Sequence, residues 1–189
     1  MKAKSVFRAV LSMGIVLFFA LACTDEKEDV NPNTSLTATA ENNKVTPVAG
    51  GITLDAVRHA LDRFKDVKMA EKAGYVRTGD CISSPLGTMG VHWYNEKLAS
   101  PTLHPMQPEL LVYLPDGNGG MRLVAAEYFV WESDWQELHG EDAPWPTMFG
   151  QTFVRATHGV PPHYELHVWL WQHNPAGMFS NWNPAISCR

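Results

Sequence analysis

Three ionisable side chains stand where apolar ones are expected. His92 lies in Met89-Gly-Val-His-Trp-Tyr94, Glu127 in Leu123-Val-Ala-Ala-Glu-Tyr-Phe-Val-Trp131, and His167 in Tyr164-Glu-Leu-His-Val-Trp-Leu-Trp171. A buried carboxylate or imidazole without a partner is costly, so each must find one. Two imidazoles and one carboxylate suit a divalent transition metal, Zn, Cu or Fe. If the segments are neighbouring strands, their facing side chains stand about 4.5–5.5 Å apart. A Glu–His pair can also satisfy itself in a core with no ion. The last segment adds His163, Glu165 and His173 at the parity of His167. Residues four apart on a strand are separated by roughly 13 Å, which keeps His163 and His167 from sharing an ion at about 2 Å. A pair two apart, such as Glu165 with His167, can share one. Glu165 is therefore an additional candidate ligand, and His163 another where a bulge after Pro161-Pro162 changes that count. With one coordination position open, such an ion supplies Lewis-acid, hydrolytic or oxygen chemistry. Met89, Met106 and Met178 near histidines lean the choice toward copper.

A second chemistry competes. Seven tryptophans is a high count for one domain. Core packing explains several, but Trp145 lies between two prolines and Trp182 in Asn181-Trp-Asn-Pro184. As exposed loop aromatics these two would stack on a glycan or small apolar ligand in a non-catalytic binding module. An interaction subunit of an envelope complex, with no small-molecule site, is the third reading. The sequence carries no Gly-x-Ser-x-Gly, P-loop, Gly-x-Gly-x-x-Gly or His-Glu-x-x-His, so it leaves open whether the protein is an enzyme.

The elements that must position these residues follow from periodicity. Leu54, Val57, Leu61 and Phe64 recur at helical spacing behind Thr53 as N-cap. Asp66 restarts a second short helix, and Gly74 suits the left-handed position that ends it. From Met89 the period changes. Segments 89–94, 109–114, 121–131 and 163–171 read as strands rich in Val, Tyr, Phe and Trp. Asp116-Gly-Asn-Gly-Gly120 is a hairpin turn between the second and third. Ser133 with Gln136 reads as a capping box opening a short helix that Gly140 ends. Helices first and mostly antiparallel strands after give an α+β fold: N-terminal helices packed on a sheet, as a single domain over residues 52–189.

Composition bounds the rest. The chain has 189 residues, 45% hydrophobic and 19% charged, which excludes a disordered or collagen-like polymer. Beyond residue 22 it holds 12 basic against 20 acidic residues, a balance that argues against nucleic acid as a partner. Lys2, Lys4 and Arg8 precede an apolar run, Val10 to Ala22, too short for a comfortable span, so residues 1–22 read as an export signal. Leu21-Ala22-Cys23 resembles the lipobox of bacterial lipoproteins. That resemblance implies lipidation of Cys23 (diacylglyceryl and N-acyl chains, palmitate among them), with a membrane as partner through the anchor. Ala20 departs from the more usual Leu. Residues 23–51 then form a flexible tether, poor in anything that could be buried. Its acidic run, Asp25 to Asp29, is either a solvated charge cluster or a likeness to the export signal of surface lipoproteins of the Bacteroidota, which implies an outer-membrane or surface location. Cys81 and Cys188 remain as an even pair in an oxidising compartment, so a disulfide is expected between them.

The motifs Met89-Gly-Val-His-Trp, Pro108-Glu-Leu-Leu-Val-Tyr, Leu123-Val-Ala-Ala-Glu-Tyr and His163-Tyr-Glu-Leu-His-Val-Trp-Leu-Trp-Gln-His-Asn-Pro-Ala-Gly through Trp182-Asn-Pro to Cys188 resemble an uncharacterised family of exported bacterial proteins. The likeness covers residues 55 to 189. That family has no assigned activity, so it supplies no site residues.

Overall fold

The computed structural model describes residues 51–157 and 160–188. The leader, Cys23 and the tether up to residue 50 lie outside the described residues. Thr53 caps helix α1 (Leu54–Leu61) as its spacing predicts, its hydroxyl accepting from Ala56 N at 3.2 Å. A 3-10 turn (Asp62–Lys65) follows, and Asp66 caps helix α2 (Val67–Lys72) through Lys68 N. Gly74 leaves it at φ +101°, a conformation that costs glycine little. Val57, Leu61, Phe64 and Ala70 are the faces these helices bury.

Two short strands, β1 (Val76–Arg77) and β2 (Ile82–Ser84), lead into β3 (Gly87–Tyr94), and β4 (Leu110–Pro115) and β5 (Met121–Trp131) form the predicted hairpin. In its turn, Asp116 Oδ1 accepts from the backbone N–H groups of Asn118 and Gly120. Helix α3 (Glu132–His139) follows β5 directly. It ends at Gly140 as expected, but the capping box is absent. Trp131 occupies the N-cap without a side-chain bond, and the Ser133 hydroxyl turns to Asp134. The hairpin β6 (Thr147–Met148) and β7 (Gln151–Thr152), the edge strand β8 (Val154–Ala156) and β9 (His163–Val168) complete the order. β9 stops three residues before the predicted end, because Trp169 N–H bonds to the Met178 carbonyl in the C-terminal segment instead of to a strand.

The described residues build a seven-stranded antiparallel sheet in the order β1-β3-β4-β5-β9-β8, with β2 also on β3. Alternation divides its residues between two faces. Val91, Trp93, Leu111, Tyr113, Tyr128, Tyr164 and Leu166 pack with α1, the 3-10 turn and α2. Two tyrosine hydroxyls on that side are satisfied by carbonyls: Tyr113 donates to Phe64 O at 2.6 Å and Tyr75 to Pro108 O at 2.7 Å. The other face carries His92, Glu127 and His167, beside Val112, Leu114, Ala125 and Trp169 packed on Cys81 and Ile186. The C-terminal segment lies along this face. Asn183 exchanges two backbone hydrogen bonds with Thr88, 3.0 and 3.1 Å. Its backbone comes so close to Gly87 that a Cβ there would meet it at 2.6 Å. Cys188, at the end of that segment, is bonded to Cys81 across 107 residues, Cα–Cα 5.7 Å.

Candidate metal centre

Strand register decides which side chains meet. Glu127 on β5 stands directly opposite His167 on β9, Phe129 opposite Glu165, and Trp131 opposite His163. His92 arrives differently. β4 separates β3 from β5, with His92 opposite Val112 and Glu127 opposite Leu110. Three strands in a row put β3 and β5 roughly 10 Å apart, so His92 and Glu127 lean toward each other over the β4 side chains. The neighbouring-strand arrangement expected for all three therefore holds for Glu127 and His167 alone.

Convergence is nonetheless complete. One ligand atom from each of His92, Glu127 and His167 falls within 4.8 Å of the other two. Glu127 Oε2 is 3.1 Å from His92 Nε2 and 3.5 Å from His167 Nε2. All three residues are buried, His167 completely. The rings of His92 and His167 stand nearly perpendicular, 85°. Close as they are, these atoms do not satisfy one another as hydrogen bonds: Glu127 Oε2 and both ring nitrogens of His167 have no partner among the described residues. Donor atoms at 2.0–2.2 Å around one tetrahedral ion are about 3.3–3.6 Å apart. The spacing here is of that order, and the three residues could hold a metal ion.

Electrostatics suit that use. Burial opposes charge on Glu127, but the His167 and His92 imidazoles beside it outweigh burial and hold the carboxyl down at about 2. Burial likewise opposes charging of His92, and the adjacent Glu127 carboxylate, helped by Glu165, raises its pKa above the ordinary imidazole value.

Glu165 and His163 stay outside the triad and form their own pair, also buried. His163 Nε2 is 3.2 Å from Glu165 Oε2 and its Nδ1 2.9 Å from the Pro161 carbonyl. Asn181 of the C-terminal segment donates to the other Glu165 oxygen. The i, i+2 pair that forms is thus His163–Glu165 and not the expected Glu165–His167, because Asn181 and His163 occupy both Glu165 oxygens. His173 is exposed in the loop beyond β9. Met89 lies in the wall of the cavity beside the triad, whereas Met106 packs on the helix-side core and Met178 in the C-terminal segment. Two of the three methionines thus sit away from the site.

That cavity, about 350 Å³, is lined by His92 and Glu127 together with Leu110, Phe129, Trp131 and His163. His167 closes the triad from behind. Trp145, exposed and 5.8 Å from Tyr164, and half-buried Trp182 line neither this cavity nor the cleft around Trp169–Asn174.

One buried acid escaped the sequence reading. Glu109, at the mouth of β4, accepts from Phe129 N–H at 3.0 Å. Burial pushes its carboxyl up to about 8, against the backbone bond that favours the charged form. Its signal was the same as that of Glu127, an acid beside an apolar run, but a strand end is ordinarily wet. Because its folded value lies above the unfolded one, its contribution to stability is complete below about pH 4.3 and is lost as pH rises through 8. Wild type should therefore lose stability against Glu109→Gln between pH 5 and 8, at up to about 1.4 kcal/mol per pH unit. Urea midpoints of the two proteins at both pH values check this; parallel changes would refute it.

Comparison of the chain with protein-family models, with curated proteins and with solved structures finds no match, so the site stands on its own geometry.

Proposed function

We propose that this protein binds a divalent transition metal (Zn, Cu or Fe) through His92 Nε2, a Glu127 carboxylate oxygen and His167 Nε2. The observation that carries this reading is the orphaned state of Glu127 Oε2 and the His167 nitrogens. They are buried, mutually close, and unpaired by hydrogen bonds, a condition that an ion between them would relieve. Two histidines and one carboxylate leave positions for water or substrate, the donor set of hydrolytic zinc and of oxygen-activating iron sites. The cavity bordering His92 and Glu127 supports an open position on that side. When bound, the ion would supply Lewis-acid chemistry there. The protein's own residues orient it: His167 is fixed by full burial, and Glu127 is held as the anion by the imidazoles beside it.

The test is elemental analysis of the full chain, purified without a polyhistidine tag, beside His92→Ala/His167→Ala. Close to one ion per chain in the wild type, lost in a variant that keeps its circular dichroism spectrum, is the expected result. A wild type that takes up neither zinc, copper nor iron on reconstitution would sink the proposal.

The setting of this activity is a second part of the proposal: an exported lipoprotein anchored by Cys23. It is supported by the charged leader, the apolar run and Leu21-Ala22-Cys23. Loss of the chain from the membrane fraction on Cys23→Ser is the expected result; an unchanged distribution contradicts it.

A further inference from the structure

We infer that the cavity beside the triad takes a small apolar monoanion: a carboxylic acid or phenol whose single anionic oxygen completes the metal's coordination and whose ring-sized apolar body fills the space behind it. This rests on the metal reading above. It goes beyond that reading in naming the class of ligand.

Charge is the first ground. A divalent ion held by one carboxylate and two neutral imidazoles retains one uncompensated positive charge in a buried place. An incoming ligand with one negative oxygen neutralises it, whereas a neutral ligand leaves it and a dianion overshoots. Saturation of the other polar groups is the second. Glu165 is occupied by His163 and Asn181, His163 by Glu165 and the Pro161 carbonyl, and the Thr78 hydroxyl by the His92 carbonyl. These three wall groups thus have partners already, and the buried unpaired atoms on this face are those of the triad together with Oδ1 of Asn181, a residue that does not line the cavity. A ligand's anionic oxygen is directed to the metal position, since the Tyr94 hydroxyl and the Trp131 indole on these walls are neutral.

Shape and polarity of the walls are the third ground. Met89, Leu110, Phe129 and Trp131 give the cavity an apolar inner surface, and Ile82 and Val160, both about half exposed, stand at its mouth. Exposed apolar residues beside an apolar cavity favour entry of an apolar body. The volume, about 350 Å³, lies at the lower end of the range for small-molecule sites. The edge-to-face pair of Phe129 and Trp131, centroids 4.6 Å apart, presents aromatic surface to the ligand.

The experiment titrates the full chain, loaded with zinc, with benzoate, benzamide and acetate by isothermal calorimetry. Zinc stoichiometry is measured on the same samples. Benzoate is expected to bind at least ~10-fold more tightly than benzamide, which lacks the charge, and than acetate, which lacks the ring; ~10-fold corresponds to about 1.4 kcal/mol. Metal-free protein should bind benzoate ~10-fold more weakly. Phe129→Leu should keep its zinc and lose most of the preference for benzoate over acetate. Phe129→Ala, if folded, should lose more. Full zinc loading with equal affinity for all three probes, or with no binding of any, overturns this inference and leaves the metal reading standing. Failure to take up zinc, copper or iron overturns both.

Discussion

Glu127→Gln is expected to abolish metal binding in a protein that still folds. Glu127 supplies the triad's only negative charge, and an amide oxygen is a poor substitute at a site of two imidazoles. Loss of an outer hydrogen-bonding partner of a ligand costs about 10–100-fold in metal affinity, and loss of the anionic ligand itself should exceed that. The apo fold loses the attraction between the carboxylate and the imidazoles beside it, the attraction that holds the Glu127 carboxyl down at about 2, so its stability at neutral pH should fall. Glu127 Oε2 makes no hydrogen bond among the described residues. An amide NH2 in its place would lie about where the oxygen does, 3.1 and 3.5 Å from two imidazole nitrogens, and can donate to their neutral forms. If the triad is only a core ion pair, neither protein binds metal and the loss of stability is the whole effect. Removing one partner would then strand a buried charged imidazole and cost about 3–5 kcal/mol. Zinc affinity by competition with a chromophoric chelator, together with apo-protein urea unfolding, separates the two. Zinc bound by the wild type and lost in a folded variant supports the site; no zinc in either protein refutes it.

Reduction of Cys81–Cys188, or Cys81→Ser with Cys188→Ser, is expected to destabilise the domain by about 4–5 kcal/mol. The bond closes a loop of 107 residues, and on the chain-entropy model a loop of this length limits the unfolded chain by that amount. This is comparable with the total stability of many domains. The loss has a local consequence as well. The bonded end belongs to the segment that pairs Asn183 with Thr88 and brings Asn181 to Glu165, and Ile186 packs on the same sheet face as the triad. Hydrogen exchange in the cysteine-free variant should therefore rise first at Thr88 and Asn183, with the helix-side strands following only on global unfolding. Guanidinium unfolding of wild type with and without reductant gives the magnitude. A change below about 1 kcal/mol would mean that the segment is held by its other contacts alone.

Much of the architecture was legible from residue types. The helix caps Thr53 and Asp66, the turn at Asp116 to Gly120 and the strand from Met121 to Trp131 are local signals, set within a few residues, and they stand where periodicity put them. The short strands β1, β2, β6, β7 and β8 carried no such signal. Of two or three residues each, β1, β2 and β8 exist because a longer partner offers hydrogen bonds, as β3 does to Ile82–Ser84, whereas β6 and β7 pair with each other. Ser133 was misread for a related reason. A capping box is a local motif, but β5 runs on to Trp131 and helix α3 begins immediately, before Ser133 can serve as its cap.

The sequence alone determined that His92, Glu127 and His167 would be buried and in need of partners, because an ionisable group inside an apolar strand has no access to water. The cysteine pairing was legible only with Cys23 set aside as the expected lipidation site, since three cysteines admit three intrachain bonds. Tertiary structure decided which polar groups answer each other. Antiparallel register set Glu127 against His167, strand order laid β4 between His92 and Glu127, and the C-terminal segment brought Asn181 to Glu165, so that Glu165 and His163 became a closed pair beside the triad. The physical reason is that side-chain burial follows from composition within one strand, whereas the meeting of side chains depends on the register between strands. A shift of one residue in that register would turn every one of these groups to the opposite face.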